Sequence, residues 1–317
     1  IIFRNGSRII RTPTRDYIED LDSIPFPARH LLPDSKKYRY SWYKYLPNAT
    51  IITSRGCPYQ CTFCDRAVFG NRLRTRSVEN IVDEIEMLVR EYGVREICIG
   101  DDLFTLVPEK VIDFCHELTS RKLNIAWSCL GRIDRVTFKM VKVMKKAGCW
   151  RIGYGIESGN QRVLEGIKKN ITLEAVEKTV RLTKKAGMQV LGFFMLGLPG
   201  DNEASMQETL KFAKQLPLDR VTFFITHPYP GSELYKTALT TGELKKEIGY
   251  EHYDTIRLHK NLPYIARGLS EELLEKYRHK FYREFYLRPG YLIKQLLNYH
   301  EFEGLPTRII AFLRAIF

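Results

Sequence analysis

Six short apolar segments alternate with amphipathic stretches between residues 49 and 232, and this alternation constrains the fold more than any other feature. Apolar runs of this length are typical of parallel strands that are covered on both faces. The stretches between them have a 3.6-residue period, most clearly over Val78–Tyr92 and after Thr172, and predict helices. The predicted strands are Thr50–Thr53, Glu96–Gly100, Asn124–Ser128, Arg151–Ile156, Gln189–Leu196 and Arg220–Thr226. Six βα units predict an α/β fold, a partial (βα)6 TIM-like barrel, because closure takes eight units.

The flanking segments have other patterns, so we expect three regions. Residues 1–48 begin with two short strands around Asn5-Gly6, a dipeptide favoured in type I′ turns, and continue as a proline-rich connector with several aromatic residues. Because the chain starts without Met, this N-terminal region is expected to be the exit from a missing upstream domain, and the chain to be either a fragment or a member that has lost that domain. Residues 49–232 form the barrel. Residues 233–317 are predicted to be a helical C-terminal region, with one helix over Ser270–Tyr286 and another from Tyr291.

Composition narrows the class of protein. The formal net charge of +13 favours a negatively charged partner, or it is a solvated basic surface. The sequence contains neither an apolar run long enough for a transmembrane segment nor a signal peptide. Seven cysteines, three of them within eight positions, argue against a secreted disulfide framework and for a metal site. We therefore expect a cytoplasmic protein, with peripheral membrane contact as an alternative.

Cys57, Cys61 and Cys64 directly follow the first predicted barrel strand. A short loop can bring three thiolates to one metal centre, whereas iron–sulfur clusters usually take four. Three ligands leave one iron open to an external chelate, as a catalytic zinc keeps a position open for its substrate. Two alternatives remain at this point: buried free cysteines, and a zinc site completed by a histidine. No histidine lies between Cys57 and Cys98.

The spacing Cys-x3-Cys-x2-Cys, with Phe63 before the third cysteine, resembles the signature of the radical S-adenosylmethionine superfamily. The resemblance implies one [4Fe–4S] cluster on these cysteines, with S-adenosylmethionine (SAM) chelating the open iron. It also implies that one-electron reduction, from a donor such as flavodoxin or ferredoxin, splits SAM and yields a 5′-deoxyadenosyl radical. That radical abstracts hydrogen from unactivated carbon, which requires a dry cavity.

By the same resemblance, residues at the other strand ends bind SAM. Asp102, or else Asp101, is expected to receive the methionine ammonium, with a helix cap near Pro108 as the alternative role. Glu157 and Ser158 are expected to receive the ribose, the alternative being a capped turn. The full set of expected SAM-binding residues is Phe63, Asp101, Asp102, Arg132, Glu157, Ser158, Leu196 and Tyr229.

Within this set, Arg132 is expected to pair with the methionine carboxylate or with Glu157. Leu196 and Tyr229 are expected at the adenine edge, and His227 is more readily explained as a structural residue. Cys98, Cys115, Cys129 and Cys149 lack short mutual spacing and are expected to be buried packing residues, so no second cluster is indicated.

Four segments resemble the branch of the superfamily that carries a cobalamin-binding domain before the radical domain: residues 20–29, 101–104, 155–159 and 285–289. That branch includes methyltransferases acting on unactivated carbons, ring-forming enzymes of tetrapyrrole synthesis and hopanoid-modifying enzymes. The resemblance implies methylation or cyclisation of a small-molecule or lipid-like substrate, with cobalamin as a further candidate cofactor and an upstream cobalamin-binding domain as a candidate partner. No Asp-x-His-x-x-Gly motif appears in this sequence, so cobalamin dependence is a hypothesis.

Two alternatives stay open at the level of function. A tRNA methylthiotransferase would use the positive charge for RNA, but its second cluster domain and its RNA-binding barrel are not visible in the sequence, so no nucleic acid partner is indicated. The other alternative is a non-catalytic iron–sulfur or zinc binding module, which would not need polar residues at so many strand ends.

Overall fold

The structure, a computed structural model, describes residues 2–33, 43–244 and 262–297, the last four of them as backbone only. Its strands are β1 (Ile2–Asn5), β2 (Arg8–Arg11), β3 (Asn48–Ile51), β4 (Ser54–Arg55), β5 (Arg74–Thr75), β6 (Glu96–Ile99), β7 (Ala126–Gly131), β8 (Cys149–Glu157), β9 (Gln189–Leu196) and β10 (Arg220–Ile225). Its helices are α1 (Val78–Tyr92), α2 (Pro108–Ser120), α3 (Phe138–Lys146), α4 (Gln161–Gly166), α5 (Leu173–Lys185), α6 (Glu203–Gln215), α7 (Glu233–Thr241), α8 (Glu271–Tyr286) and α9 (Pro289–Leu297).

The main sheet has six parallel strands in the order β10-β9-β8-β7-β6-β3. Strands that follow one another in the barrel sequence are neighbours in space, as expected for βα units with short connections. All six predicted barrel strands are present, and the partial TIM-like α/β fold is confirmed. Only β9 has the predicted boundaries, and the other strands differ by one to three residues at one or both ends. β3 lies two residues earlier than predicted, β7 runs from Ala126 to Gly131, β8 runs from Cys149 to Glu157, and β6 and β10 each end one residue earlier.

The helices cover one face of this sheet. Along β9 and β10 the residues alternate between fully buried and half-buried, and the buried members pack against the helices. The opposite face keeps partial exposure at Leu191, Phe193 and Phe224. For β9 and β10, the expectation that the strands are covered on both faces is therefore wrong among the described residues. β8, in contrast, is buried over most of its length.

Local signals place the helix ends where the sequence predicts them. The Ser77 hydroxyl accepts a hydrogen bond from the first turn of α1, and Gly93 ends this helix in the left-handed conformation. Thr172 and Ser270 cap α5 and α8 in the same way. The last helix, α9, begins at Pro289 and not at Tyr291, because proline is well tolerated in the first turn of a helix.

The helix α8 continues the barrel core instead of forming a separate one. Phe281 packs edge-on against Phe223 of β10 with ring centroids 4.9 Å apart, and the Tyr286 hydroxyl donates to the Val221 carbonyl over 2.7 Å. The expected division of the chain at residues 48 and 232 stays a prediction. Residues 34–42, 245–261 and 298–317, which include part of the aromatic connector and the end of the helical region, lie outside the described residues.

The N-terminal hairpin is present, but its turn differs from the prediction. Asn5 pairs with Arg8, so the two central residues are Gly6 and Ser7. Gly6 alone has a positive φ, +58°, as in a type II′ turn, and the predicted type I′ turn at Asn5-Gly6 is wrong. Among the described residues, no helix combines the length and the apolar character needed to cross a bilayer.

Candidate active site

The segment between β4 and β5, residues 56–73, carries Cys57, Cys61 and Cys64 and is called the cysteine loop. It lies at the C-terminal edge of the sheet, where ligands of parallel α/β folds bind. The two-stranded antiparallel sheet of β4 and β5 closes this loop at its base. The backbone N–H groups of Cys57 and Thr62 donate to the carbonyls of Gly70 and Ile167 over 3.4 and 3.0 Å. The Thr62 carbonyl in turn accepts from the N–H of Leu234, in the first turn of α7, over 2.8 Å. Hydrogen bonds therefore attach the loop to the segment after α4 and to the first turn of α7.

The three thiols are close enough to influence one another electrostatically. Burial is the largest cause that raises the pKa of Cys57, and the charge of Cys61 adds to it. For Cys64, partial burial of the thiol and the charges of Cys61 and Cys57 raise the pKa to about 11, although the residue reaches the surface. Cations oppose this effect: Arg132 lowers the pKa of Cys57, and Lys169 lowers that of Cys64. Positive charge at this edge thus favours the thiolate forms that bind metal.

The donor set fits an iron–sulfur cluster. All three candidate ligands are thiols, which are soft donors that suit iron–sulfur clusters. In the described ranges no three Cys, His, Asp or Glu side chains converge as the ligands of one metal ion would. The thiolates of a four-iron cluster each bind a different iron, so they do not need to meet at one point. Within the loop, the buried Thr62 hydroxyl also has no hydrogen-bond partner among the residues that the structure describes.

The two adjacent aspartates after β6 have different surroundings. Asp101 is 2% exposed and accepts hydrogen bonds from the Thr53 backbone N–H, the Thr53 hydroxyl and the Ser54 hydroxyl. Asp102 is exposed, and its charge raises the pKa of both Cys57 and Cys64. The structure therefore brings Asp102 to the thiols and uses Asp101 to hold the chain that enters the cysteine loop.

Neither aspartate caps the helix that follows. The N-cap position of α2 is Val107, which makes no side-chain hydrogen bond, and Pro108 occupies the first turn. The alternative role of Asp101 or Asp102 as a helix cap is therefore wrong.

We expect replacement of Asp101 with Ala to lower the free energy of unfolding by about 3 kcal/mol, because three buried donors lose their acceptor. The matched control is Asp102→Ala, which removes an exposed carboxylate and should change stability by no more than about 0.5 kcal/mol. Urea unfolding of the iron-free chain measures both. Equal effects of the two variants would contradict the distinction between these residues.

Glu157 ends β8 in an unusual backbone conformation. Its φ is +68°, in the left-handed region that residues with a Cβ seldom adopt, and the register against β9 shifts between Gly155 and Glu157. The Glu157 carboxylate lies 2.6 Å from the ammonium of Lys169, and both side chains are about nine-tenths buried. Left-handed residues of this kind cluster at functional sites. The structure therefore places Glu157 at the candidate site, paired with a residue that sequence reasoning missed.

Ser158 points elsewhere. It is fully buried, and its hydroxyl lies 3.2 Å from the Thr209 hydroxyl of α6 and accepts from the backbone N–H of Asn160 over 3.1 Å. Its expected contact with a ribose stays a prediction, but in this structure the hydroxyl supports the turn into α4. Asn160 then caps α4.

Arg132 holds the cysteine loop from the side of β7. Its guanidinium lies 3.6 Å from the centre of the Tyr59 ring, its Nε is 2.7 Å from the Asp134 carboxylate, and its Nη2 donates to the Lys169 carbonyl. In the structure Glu157 pairs with Lys169 and not with Arg132. The other expected role of Arg132, toward the methionine carboxylate, stays a prediction.

Phe63 and Leu196 flank the same edge. The Phe63 ring packs partly buried against the core, with its centroid 5.9 Å from the Lys169 ammonium. Leu196 is the last residue of β9; its side chain is buried, and its carbonyl accepts from the backbone N–H and the hydroxyl of Thr226. Their expected contacts with SAM stay predictions.

Tyr229 lies on the loop after β10 and keeps 39% of its surface exposed. This loop borders the cysteine loop, because a Cβ at Gly231 would overlap the carboxylate of Asp65. The neighbouring His227 is buried, and its Nδ1 lies 2.9 Å from the Ile225 carbonyl, as expected for a structural histidine. The expected adenine contact of Tyr229 stays a prediction.

Lys169 and Tyr59 are the candidate site residues that sequence reasoning missed. Lys169 follows another lysine near the end of a predicted helix, a position where charged residues are usually solvated. Its two neighbours, Lys168 and Asn170, have φ values of +55° and +53°. This irregular backbone turns the Lys169 side chain inward, and no periodic pattern in the sequence signals it.

The fold and the site together define an open βα barrel that carries three cysteines on one loop at its C-terminal edge. Residues 51–213 match the family model of the Radical SAM superfamily. The chain belongs to this superfamily, whose cofactors are a [4Fe–4S] cluster and SAM, and the expected family and enzyme class are confirmed.

Relatives and a solved structure agree with this assignment. The chain is 36% identical over 95% of its length to an uncharacterized methyltransferase, PH0819, from Pyrococcus horikoshii, and covers 64% of that protein. It is 28% identical over 90% of its length to an anaerobic magnesium-protoporphyrin IX monomethyl ester cyclase from Rubrivivax gelatinosus, and covers 50% of it. The chain thus spans about half to two thirds of these relatives.

The structural comparison concerns the fold. The radical SAM methyltransferase TsrM from Kitasatospora setae, solved with cobalamin and a [4Fe–4S] cluster bound, superposes with a TM-score of 0.57 at 19% identity. The match covers 63% of this chain and 41% of that one. It supports the partial barrel architecture.

Proposed function

We propose that this chain is the radical domain of an enzyme that cleaves SAM reductively and methylates or cyclises an unactivated carbon of a small-molecule or lipid-like substrate. The observation that carries the proposal is the assembly of the cysteine loop, Asp102 and the Glu157–Lys169 pair at one edge of the sheet. A purely structural metal site would need only the cysteines. Carboxylates and a buried ammonium beside them are what a zwitterionic cofactor with a ribose requires.

In this proposal Cys57, Cys61 and Cys64 hold the cluster. When bound and reduced, the cluster would supply the electron for reductive cleavage of SAM, and the chemistry gained would be hydrogen abstraction from an unactivated carbon of the substrate. Asp102 accepts hydrogen bonds from the methionine ammonium, and Glu157 accepts them from the ribose. The half-buried side chains of Leu191 and Phe193, on the face of the sheet below the loop, would give the reacting carbon an apolar surface to bind against.

The choice of methylation or cyclisation follows the names of the relatives, one a methyltransferase and the other a cyclase. We infer that cobalamin is a further cofactor, supplied by a domain upstream of the barrel, because the branch resemblance extends from the connector to α8. A flavodoxin or ferredoxin is the proposed electron donor. All seven cysteines are free thiols, which favours a reducing, cytoplasmic setting.

The direct test is reductive SAM cleavage. We expect the chain, reconstituted with iron and sulfide without oxygen, to form 5′-deoxyadenosine and methionine from SAM when dithionite is added, and neither without the reductant. A non-catalytic iron–sulfur or zinc module should form neither product under any of these conditions. Liquid chromatography with mass spectrometry measures both. Absence of both products from protein that carries about four irons per chain would refute the proposal.

A further inference from the structure

Lys169 lies in the short segment between α4 and α5, which is a junction of the candidate site. The Ile167 carbonyl accepts from the Thr62 backbone N–H in the cysteine loop. Two residues later the Lys169 carbonyl accepts from Arg132 at the end of β7. The backbone of this segment thus ties the cysteine loop to the third barrel strand. These two hydrogen bonds fix the backbone position of Lys169, and this fixes the direction in which its side chain leaves the backbone.

The side chain of Lys169 is directed at the site. Its ammonium is 2.6 Å from Glu157 Oε1, and the two side chains are 10% and 9% exposed. The adjacent Lys168 also pairs with a glutamate but differs in exposure. Its side chain is 48% exposed and lies 2.8 Å from Glu233, which is also exposed. An exposed pair contributes little, whereas a buried carboxylate depends on its partner.

Gly155 shows where the pair sits. A Cβ at Gly155 would overlap Oε1 of Glu157 and stand 2.9 Å from the Lys169 ammonium. The ion pair therefore packs against Gly155, in the space that a Cβ would occupy, on the half-buried face of the sheet. Glu157 is held there with a φ of +68°, a conformation that persists only when surrounding contacts enforce it. The hydrogen bond that Lys169 donates fixes the position of the Glu157 carboxylate.

We infer that Lys169 is a positioning residue for SAM, holding the Glu157 carboxylate over Gly155 where the ribose binds. The inference rests on the proposed function of the chain as a SAM-cleaving radical domain. Without the ammonium, the buried carboxylate of Glu157 loses the positive charge that lies 2.6 Å away and turns toward water. Lys169 then matters for the affinity for SAM, and only through Glu157.

The test is a double-mutant cycle on the reconstituted protein, with Lys169→Met, Glu157→Gln and the double variant. SAM is titrated into the dithionite-reduced protein, and the change in the EPR spectrum of the cluster gives the dissociation constant. We expect Lys169→Met to keep the full iron content and to raise the dissociation constant about tenfold or more. The double variant should bind no more weakly than Glu157→Gln, within about twofold. Lys168→Met, the matched control, should stay within about twofold of the wild type.

Other outcomes overturn the inference. Unchanged SAM affinity in Lys169→Met would do so, as would effects of the two single substitutions that multiply in the double variant. If Lys169→Met does not load iron, the cycle is repeated with Lys169→Gln, which keeps a shorter hydrogen-bond donor. Loss of iron in both variants would assign Lys169 a structural role and reject the positioning role. A wild-type cluster spectrum that does not respond to SAM would instead reject the proposed function, and the inference with it.

Discussion

Replacement of Cys61 with Ser is expected to abolish cluster binding and, with it, SAM cleavage. Cys61 is the buried member of the trio, and its charge influences both Cys57 and Cys64. A serine hydroxyl is a harder and more basic ligand than a thiolate, so it does not replace the lost iron–sulfur bond. Because the ligands act as one unit, we expect 5′-deoxyadenosine formation to fall by roughly 10³-fold or more. Iron and sulfide analysis of the anaerobically reconstituted protein, together with the product assay, measures both effects.

The matched control is Cys98→Ser. Cys98 lies on β6, next to Thr50 and Ser128 in the register of the sheet, and it is exposed, so the expectation that it is a buried packing residue is wrong. Partial burial of the thiol raises its pKa, and a hydrogen bond with Ser128 opposes that rise. Serine fits these polar neighbours, so we expect the variant to keep its iron content and its product formation. Full iron loading in Cys61→Ser, or loss of the cluster in Cys98→Ser, would contradict the assignment of the ligands.

The order of the barrel could be predicted from the sequence because its signals are local. A buried strand needs only a few consecutive apolar residues, and an amphipathic helix such as α1 repeats its pattern over several turns. Serine and glycine at the ends of α1 complete that signal, and the structure places the helix over the predicted residues. The open concave face could not be foreseen in the same way. Leu191 and Phe193 are as apolar as their buried neighbours, and their partial exposure among the described residues depends on the arrangement of the whole sheet.

In the candidate site, too, the features that depend on neighbouring residues in the chain could be predicted, and those that depend on tertiary contacts could not. The cysteine trio is contiguous in the chain, so its spacing alone indicates the chemistry. Asp101 and Asp102 are adjacent and chemically identical, and only the contacts of Thr53 and Ser54 with Asp101 separate their roles. The pairing of Lys169 with Glu157 joins residues 12 positions apart through an irregular loop. Sequence patterns carry no signal for such a contact, because it depends on backbone angles at Glu157 and beyond α4.

The conformation of the cysteine loop also depends on Gly56, which is not a candidate ligand. The base of the loop is closed by β4 and β5, and Gly56 lies where the chain leaves β4 for Cys57. Gly56 has a φ of +90°, which side chains with a Cβ rarely adopt. A Cβ here would also overlap the carbonyl oxygen of Arg72 and lie 2.9 Å from that of Phe69. Both obstacles are backbone atoms of the same loop, so they cannot move aside as a flexible side chain would.

Gly56→Ala is therefore expected to disrupt the cysteine loop although no ligand is changed. We predict a loss of about 3 kcal/mol in the free energy of unfolding of the iron-free chain, and a loss of most of the iron after reconstitution. The control is Gly93→Ala, at the end of α1, where φ is also positive, +62°, but a Cβ would meet nothing within 4 Å. It should cost only about 1 kcal/mol and leave iron loading intact. Urea unfolding and iron analysis of both variants separate the effect of φ from the overlap with the loop backbone. If Gly56→Ala loaded iron as fully as Gly93→Ala, the closed base of the loop would not be what holds Cys57 in place.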